Sequence, residues 1–149
     1  MATVRLTRAA LPGMIARHHG GVINVSSTAA FLPLGGNVMY TSTKAFLNVF
    51  TQTLAFELKG SGVKVQALCP GFTYTEFHDV AKVDRKKIPG SWWMSAEDVV
   101  AASLKGLERG KTVVVPGLFY KVVVLLSKLT PKVLQHAVMI RHARRSGRI

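Results

Sequence analysis

A tyrosine and a lysine, Tyr40 and Lys44, lie four residues apart near the start of a long segment with helical apolar periodicity. On a helix, the two side chains leave the same face one turn apart. An ammonium group held near a phenol favours the phenolate, and such a phenol can exchange its proton with a substrate oxygen. Ser27 precedes Tyr40 by thirteen residues, and its hydroxyl can hydrogen-bond the same oxygen and orient it. The three residues therefore predict general acid–base chemistry on an oxygen-bearing substrate.

The elements that must position these residues alternate between strands and helices. Three runs rich in β-branched residues predict buried strands at about 22–26, 63–69 and 112–115. Helical periodicity and capping signals predict helices at about 4–17, 37–58 and 96–109, the last one capped by Ser95. Strands that alternate with helices pair in parallel and carry helices on both faces. The pattern predicts an α/β fold with a doubly wound parallel sheet.

A doubly wound sheet binds its ligands in the crevice outside the carboxyl ends of its strands. In this chain those ends are followed by residues 26–37, by residues 69–94 and by the residues after 115. Ser27 lies in the first of these segments, and Tyr40 and Lys44 follow it directly. The predicted chemistry therefore falls where the predicted fold places a ligand.

Three motifs that follow successive strand ends identify a family. They are Ile23-Asn-Val-Ser-Ser27, Tyr40-Thr-Ser-Thr-Lys44-Ala-Phe, and Cys69-Pro-Gly71 with Thr75 after it. In their joint spacing, over about residues 3 to 115, the chain resembles the C-terminal half of the short-chain dehydrogenase/reductase family. The resemblance implies a partial Rossmann-like sheet that holds the last three strands of seven, with flanking helices. It divides the chain into a Rossmann-type part at 1–117 and a basic amphipathic helical tail at 118–149.

The resemblance also implies roles for individual residues. Tyr40 looks like the catalytic acid or base and Ser27 like the residue that orients the substrate oxygen. Lys44 is similar to the family lysine that favours the phenolate and hydrogen-bonds the nicotinamide ribose, so Tyr40 and Lys44 also belong to the cofactor site. The segment along the nicotinamide and pyrophosphate is matched by Pro70, Gly71, Thr73 and Thr75. The residues expected to line the substrate are Ala29, Phe72, Tyr74 and Phe77.

Gly71 also has an interpretation of its own, independent of the family. A glycine just beyond a strand end permits close approach of a ligand to the backbone. The alternative is that Pro70 and Gly71 form an ordinary turn.

The activity implied by the resemblance is reversible hydride transfer between NAD(P)(H) and a carbonyl or alcohol carbon, with Tyr40 moving the proton. The segment from 72 to 94 is rich in aromatic residues, which favours an apolar substrate such as a lipid-like, steroid-like or aromatic ketone or alcohol. The alternative is that these aromatic residues only pack the segment onto the core.

The chain departs from the family pattern at its start. None of its thirteen glycines forms a G-x-G-x-x-G turn, and it has no Asn-Ala-Gly run. By register, the family's catalytic asparagine falls just before Met1. We therefore expect an unpaired edge on the first strand, weak dinucleotide affinity, and no measurable NAD(P)H-dependent carbonyl reduction by residues 1–149 alone. The alternative function is a noncatalytic pseudoenzyme fragment or dimerisation module, and we expect a homo-oligomer formed through the long helices.

The net charge of +13 arises largely near the end of the chain, where residues 109–149, which include the tail, contain nine basic residues and no acid. This tail either packs on its own domain or rests on an anionic membrane surface. Nucleic-acid binding is disfavoured because the aromatic residues concentrate in 72–94 and the cations in the tail. We predict a cytoplasmic protein, with peripheral membrane association as the alternative. The histidines lack ligand spacing, which predicts no metal site, and the lone Cys69 is interpreted as a packing residue.

Overall fold

The computed structural model describes residues 2–32, 38–77, 88–131 and 133–135 of the 149-residue chain. Three strands form one parallel sheet in the order β1-β2-β3, with β1 at Gly20–Val25, β2 at Val63–Leu68 and β3 at Val113–Val114. β1 and β2 pair along their whole length, from Gly20 opposite Val63 to Val25 opposite Leu68. The predicted parallel α/β sheet is confirmed, although the third strand is only two residues long.

Within the described ranges, the sheet is accompanied by helices α1 at Ala2–Ala16, α2 at Val38–Glu57, α3 at Ala96–Glu108 and α4 at Leu118–Leu129. Short 3-10 helices occupy Thr28–Phe31 and Gly90–Trp92. The predicted bounds of α1 to α3 agree with the structure to within about two residues, the usual spread of helix ends. The Ser95 hydroxyl accepts a hydrogen bond from the Asp98 amide at 3.0 Å, which is the predicted N-cap of α3.

The core lies on both faces of β2. On one face, Val63 and Val65 pack with Leu58 and with apolar residues of α1 and α2. On the other face, Leu68 packs with Val99 of α3 and Val114 of β3. Because successive residues of a strand point to opposite faces, Val63 and Val65 share one face of β2 and Leu68 lies on the other.

Buried polar side chains connect the helices to the strands. The Asn24 amide of β1 donates to the Thr51 hydroxyl of α2 at 2.9 Å. On β2, the Gln66 amide donates to the Ser103 carbonyl at 3.1 Å and accepts from the Ser103 hydroxyl at 2.6 Å. Leaving a buried polar group without its partner costs about 1–3 kcal/mol, so these bonds help to fix α2 and α3 on the sheet.

Helix α4 packs on the domain with one face. Tyr120, Val124 and Ser127 are buried, and the Lys128 ammonium lies 5.2 Å from the ring centroid of Phe31 in the first 3-10 helix. The first twelve residues of the predicted tail are therefore a helix that covers the site end of the sheet. Residues 136–149, which hold four of the tail's basic residues, lie outside the described residues. Among the residues that the structure describes, no helix is both long and apolar enough to cross a membrane.

Candidate active site

Ser27 is held in a tight turn directly after β1. Its hydroxyl oxygen accepts a hydrogen bond from the Ala29 amide at 3.1 Å and so caps the 3-10 helix Thr28–Phe31. The neighbouring Ser26 donates its hydroxyl to the Lys44 carbonyl of α2 at 2.7 Å. Both serines are buried. These bonds join the end of β1 to α2 and place Ser27 at the carboxyl edge of the sheet, as the sequence predicts.

Lys44 lies against both Tyr40 and the end of β1. Its ammonium nitrogen is 5.7 Å from the centroid of the Tyr40 ring and donates to the Val25 carbonyl at 2.8 Å. Burial lowers the pKa of Lys44, because removal from water disfavours the charged form. A partly desolvated cation gains from nearby acceptors, so the site favours negative charge beside Lys44.

The segment after β2 lies against the Ser27 turn. The Pro70 carbonyl accepts from the Thr28 amide at 2.9 Å and from the Thr28 hydroxyl at 3.3 Å. Thr73 is buried, donates its hydroxyl to the Gly71 carbonyl at 3.2 Å and pairs with Met94 across a β-bridge, whereas Thr75 is exposed. The predicted cofactor segment therefore starts beside Ser27 and ends on the outside of the domain.

The predicted substrate-lining residues form an aromatic layer on this edge. The rings of Phe77 and Tyr40 lie 5.9 Å apart. Trp93 packs against Phe72 at 5.4 Å and stacks on Tyr74 at 4.9 Å. The half-buried Ala29 follows Ser27 in the 3-10 helix. The aromatic residues thus pack on one another, while Tyr74 and Phe77 also keep about half of their surface exposed.

Gly71 is explained by a residue that the sequence analysis did not select. A Cβ at Gly71 would overlap the ring of Tyr120 from α4. The close approach expected of Gly71 is therefore made by a side chain of this chain. The sequence did contain a signal for Tyr120. Its spacing from Val124 and Ser127 places the three residues on one buried helix face, where a tyrosine hydroxyl needs a polar partner.

Cys69 is fully buried at the end of β2. Burial raises the pKa of its thiol to about 11, so the thiol stays protonated near neutral pH. This environment agrees with a packing residue. Among the residues that the structure describes, no cluster of three or more His, Cys, Asp or Glu side chains suited to a metal ion occurs.

Comparison with known proteins gives a family and several close relatives. The family model for short chain dehydrogenases matches residues 1–86. The NADP-dependent 3-hydroxy acid dehydrogenase YdfG of Escherichia coli (strain K12) is 45% identical over 78 residues, which are 52% of this chain and 32% of YdfG. The very-long-chain 3-oxoacyl-CoA reductase of Rattus norvegicus is 34% identical over 105 residues, which are 70% of this chain and 32% of the reductase.

A solved structure shares both sequence and fold with the chain. The short-chain dehydrogenase from Sphingobium yanoikuyae in complex with NADPH is 35% identical, with a TM-score of 0.72 over 78% of this chain and 45% of that protein. The chain therefore spans less than half the length of these relatives.

Proposed function

The chain belongs to the short-chain dehydrogenase family, and from that premise we propose that it supplies the catalytic side of an oxidoreductase. The reaction is hydride transfer between a nicotinamide cofactor and a carbonyl or alcohol carbon. One observation supports this above the others: the Lys44 ammonium contacts both the Tyr40 ring and the last carbonyl of β1, at the edge that also carries Ser27 and Pro70.

In this proposal, Tyr40 moves the proton. Its phenol would donate a proton to the substrate oxygen during reduction, and its phenolate would accept that proton during oxidation. The adjacent Lys44 cation stabilises the phenolate that forms when the proton leaves. Ser27 already accepts a bond from the Ala29 amide, so its hydroxyl hydrogen can be directed at the substrate oxygen. The two hydroxyls would hold the oxygen, and Lys44 would favour the charge state that the transfer needs.

The residues present fit the nicotinamide end of a dinucleotide. Lys44 is a hydrogen-bond donor at the carboxyl edge, and the segment from Pro70 to Thr75 lies beside Ser27 at the same edge. When bound, NAD(P)(H) supplies or accepts the hydride. The relative from Sphingobium yanoikuyae is a complex with NADPH, and YdfG is named NADP-dependent, which supports a cofactor of this class.

The proposed substrate is an apolar carbonyl or alcohol compound. Phe77 presents apolar surface next to Tyr40, Tyr74 exposes about half of its surface on the same segment, and the small Ala29 side chain follows Ser27. The relative from Rattus norvegicus is named for an acyl substrate of very long chain, which is consistent with this class.

A second candidate function is self-association through the long helices. The outward face of α2 exposes large apolar side chains, among them Val38, Met39, Val49 and Phe56, and α3 exposes Val100 and Leu104. Apolar helix faces of this size favour a protein interface. The expected result is a dimer or larger assembly in sedimentation velocity that Val49→Glu with Phe56→Glu converts to monomer. A wild-type monomer at all concentrations would remove this candidate.

A third proposal concerns peripheral membrane contact of the tail. α4 exposes Leu125 and Leu129 beside the cations Lys121 and Lys128. Basic residues next to an apolar helix face favour an anionic lipid surface. Leu125→Glu with Leu129→Glu should abolish cosedimentation with anionic vesicles. Equal pelleting of the variant and the wild type, or no pelleting of either, would remove this proposal.

The oxidoreductase proposal is tested in a fusion with part of a relative. Residues 2–149 are fused to the part of YdfG that precedes its match to this chain, and oxidation of NADPH is followed with apolar ketones. We expect turnover by the fusion and none by residues 1–149 alone. Tyr40→Phe should abolish it, whereas Tyr74→Phe should change mainly KM. Turnover that survives Tyr40→Phe would contradict the role of Tyr40, and turnover by residues 1–149 alone would contradict the expected lack of activity.

A further inference from the structure

The hydroxyl of Tyr120 joins two segments of the candidate site. Tyr120 Oη donates to the Trp92 carbonyl at 2.6 Å and accepts from the Phe72 amide at 3.0 Å. The tyrosine is 6% exposed, and its ring occupies the space left by the absent Cβ of Gly71. Both the ring and the hydroxyl of one α4 residue are therefore used to hold other parts of the chain.

The two segments that Tyr120 joins also pair with each other. The Met94 amide donates to the Phe72 carbonyl at 3.0 Å, and the Tyr74 amide donates to the Met94 carbonyl at 3.0 Å. Trp92 lies two residues before Met94 on one side of this pairing, and Phe72 begins the pairing on the other side. Tyr120 thus closes the end of a short ladder that carries Phe72, Thr73 and Tyr74, three of the residues expected at the site.

The other end of the same segment is fixed on the Ser27 turn, because the Pro70 carbonyl accepts two bonds from Thr28. The three residues from Pro70 to Phe72 are therefore held at both ends, by Thr28 at Pro70 and by Tyr120 at Phe72. A shift of this stretch relative to both Thr28 and Tyr120 would break at least one of these attachments. The position of the segment relative to Ser27 depends on both.

We propose that Tyr120 is a positioning residue, which sets the segment Pro70–Thr75 against Ser27 for the reaction proposed above. This inference rests on the proposed function, whereas the bonds of Tyr120 to Phe72 and Trp92 do not depend on it. It also assigns α4 a part in the site, since the helix that carries Tyr120 covers the first 3-10 helix as well. A site whose parts are held by packed side chains keeps its geometry more closely than one formed by a loop alone.

The test compares two α4 variants of the 149-residue chain. Tyr120→Phe keeps the ring against Gly71 and removes only the hydroxyl. Val124→Ala removes packing from the same buried face and leaves the hydroxyl in place, so it controls for loosening of α4 in general. Amide hydrogen exchange is measured at Phe72 and at Thr28, whose amides report the two attachments of the segment.

We expect Tyr120→Phe to speed exchange at Phe72 about tenfold and to speed it at Thr28 as well, with a smaller loss of Tm than Val124→Ala causes. Unchanged exchange at both amides in Tyr120→Phe overturns the inference. So does equal acceleration in the two variants, because that result indicates a purely structural role.

A second measurement separates this inference from the proposed function. Reduced nicotinamide mononucleotide is titrated into wild type and both variants, and binding is followed by changes in the amide NMR signals of Gly71–Thr75 and Lys44. Binding that weakens severalfold in Tyr120→Phe and not in Val124→Ala supports the inference, and equal binding by all three overturns it. Absence of binding to the wild type contradicts the proposed cofactor site, and the exchange result then still decides whether Tyr120 positions the segment.

Discussion

The two ends of the sheet each carry a lysine that donates a 2.8 Å hydrogen bond to a backbone carbonyl, yet the two lysines differ in their surroundings. At the carboxyl end, Lys44 bonds Val25 and lies beside the Tyr40 ring, with its pKa lowered by burial. At the amino end, Lys64 bonds Glu108, the last residue of α3, and is exposed. The same type of bond therefore has different consequences at the two ends. Of the two lysines, Lys44 is the one desolvated next to a group that can carry negative charge, whereas Lys64 stabilises a helix end.

The amino end of the sheet has an ordinary structural explanation for its cations. A cavity of about 270 Å³ there is lined by residues at the ends of α2 and α3 and by three lysines, Lys59, Lys64 and Lys111. Helix carboxyl ends carry partial negative charge, which nearby cations stabilise. The same partial negative charge would repel an anionic ligand in this cavity. These lysines are therefore explained by their stabilising interaction with the carboxyl ends of α2 and α3. Similar residue types thus mark a candidate site at one end and a stabilised helix end at the other.

The largest expected effect concerns the two lysines themselves. In the YdfG fusion, Lys44→Met should lower kcat about a thousandfold, because it removes the cation that favours the Tyr40 phenolate. Lys64→Met is the matched control and should change kcat less than about twofold, since exposed charges far from the reaction contribute little. Equal losses in the two variants would break the distinction between the two ends.

Glycine substitutions should show the same asymmetry in stability. Gly71→Ala should lower the free energy of unfolding by about 3 kcal/mol, because the new Cβ overlaps the Tyr120 ring in a packed site. Gly60→Ala, at the amino end, should cost about 1 kcal/mol from its positive φ of 87°, since a Cβ there meets no atom of the described residues. Urea denaturation measures both, and a larger cost at Gly60 would contradict the packing assigned to Tyr120.

Alkaline pH should reveal the burial of Cys69 at the carboxyl end. Its pKa is raised by burial from 9.0 to about 11, so the fold favours the protonated thiol. That contribution is complete below the unfolded pKa and is lost as pH rises through the folded pKa. From about pH 8 to about pH 11, wild type should lose about 2 kcal/mol more than Cys69→Ala. Parallel pH profiles would show that the thiol is not shielded from water.

The smallest effect is expected from the Lys64 cap. Lys64→Met should lower the free energy of unfolding by about 0.5 kcal/mol, and added salt should reduce the difference between the two proteins. Lys105→Met serves as the comparison, because Lys105 also lies in the last turn of α3 but makes no bond to a carbonyl of the described residues. A cost that does not depend on salt would indicate that the Lys64 stem, and not its charge, stabilises the helix end.

Local patterns were enough to predict most of the elements and the residues with catalytic potential. Tyr40 and Lys44 share a helix face through their spacing alone, and Ser27 follows a strand whose alternation is visible in the sequence. The predicted parallel arrangement of the strands is confirmed as well. The third strand was overestimated, since a run of β-branched residues shows a preference for extended backbone and not how many residues find a partner.

The sequence by itself therefore determined the family motifs, the order of strands and helices, and the edge of the sheet that carries the candidate site. Only the tertiary structure decided that Lys44 bonds Val25, that Gly71 makes room for Tyr120, and that the helix at the start of the basic tail packs on the domain. The physical reason is separation along the chain. Phe72 and Tyr120 are 48 residues apart, and a bond at that distance leaves no local pattern in the residues that form it.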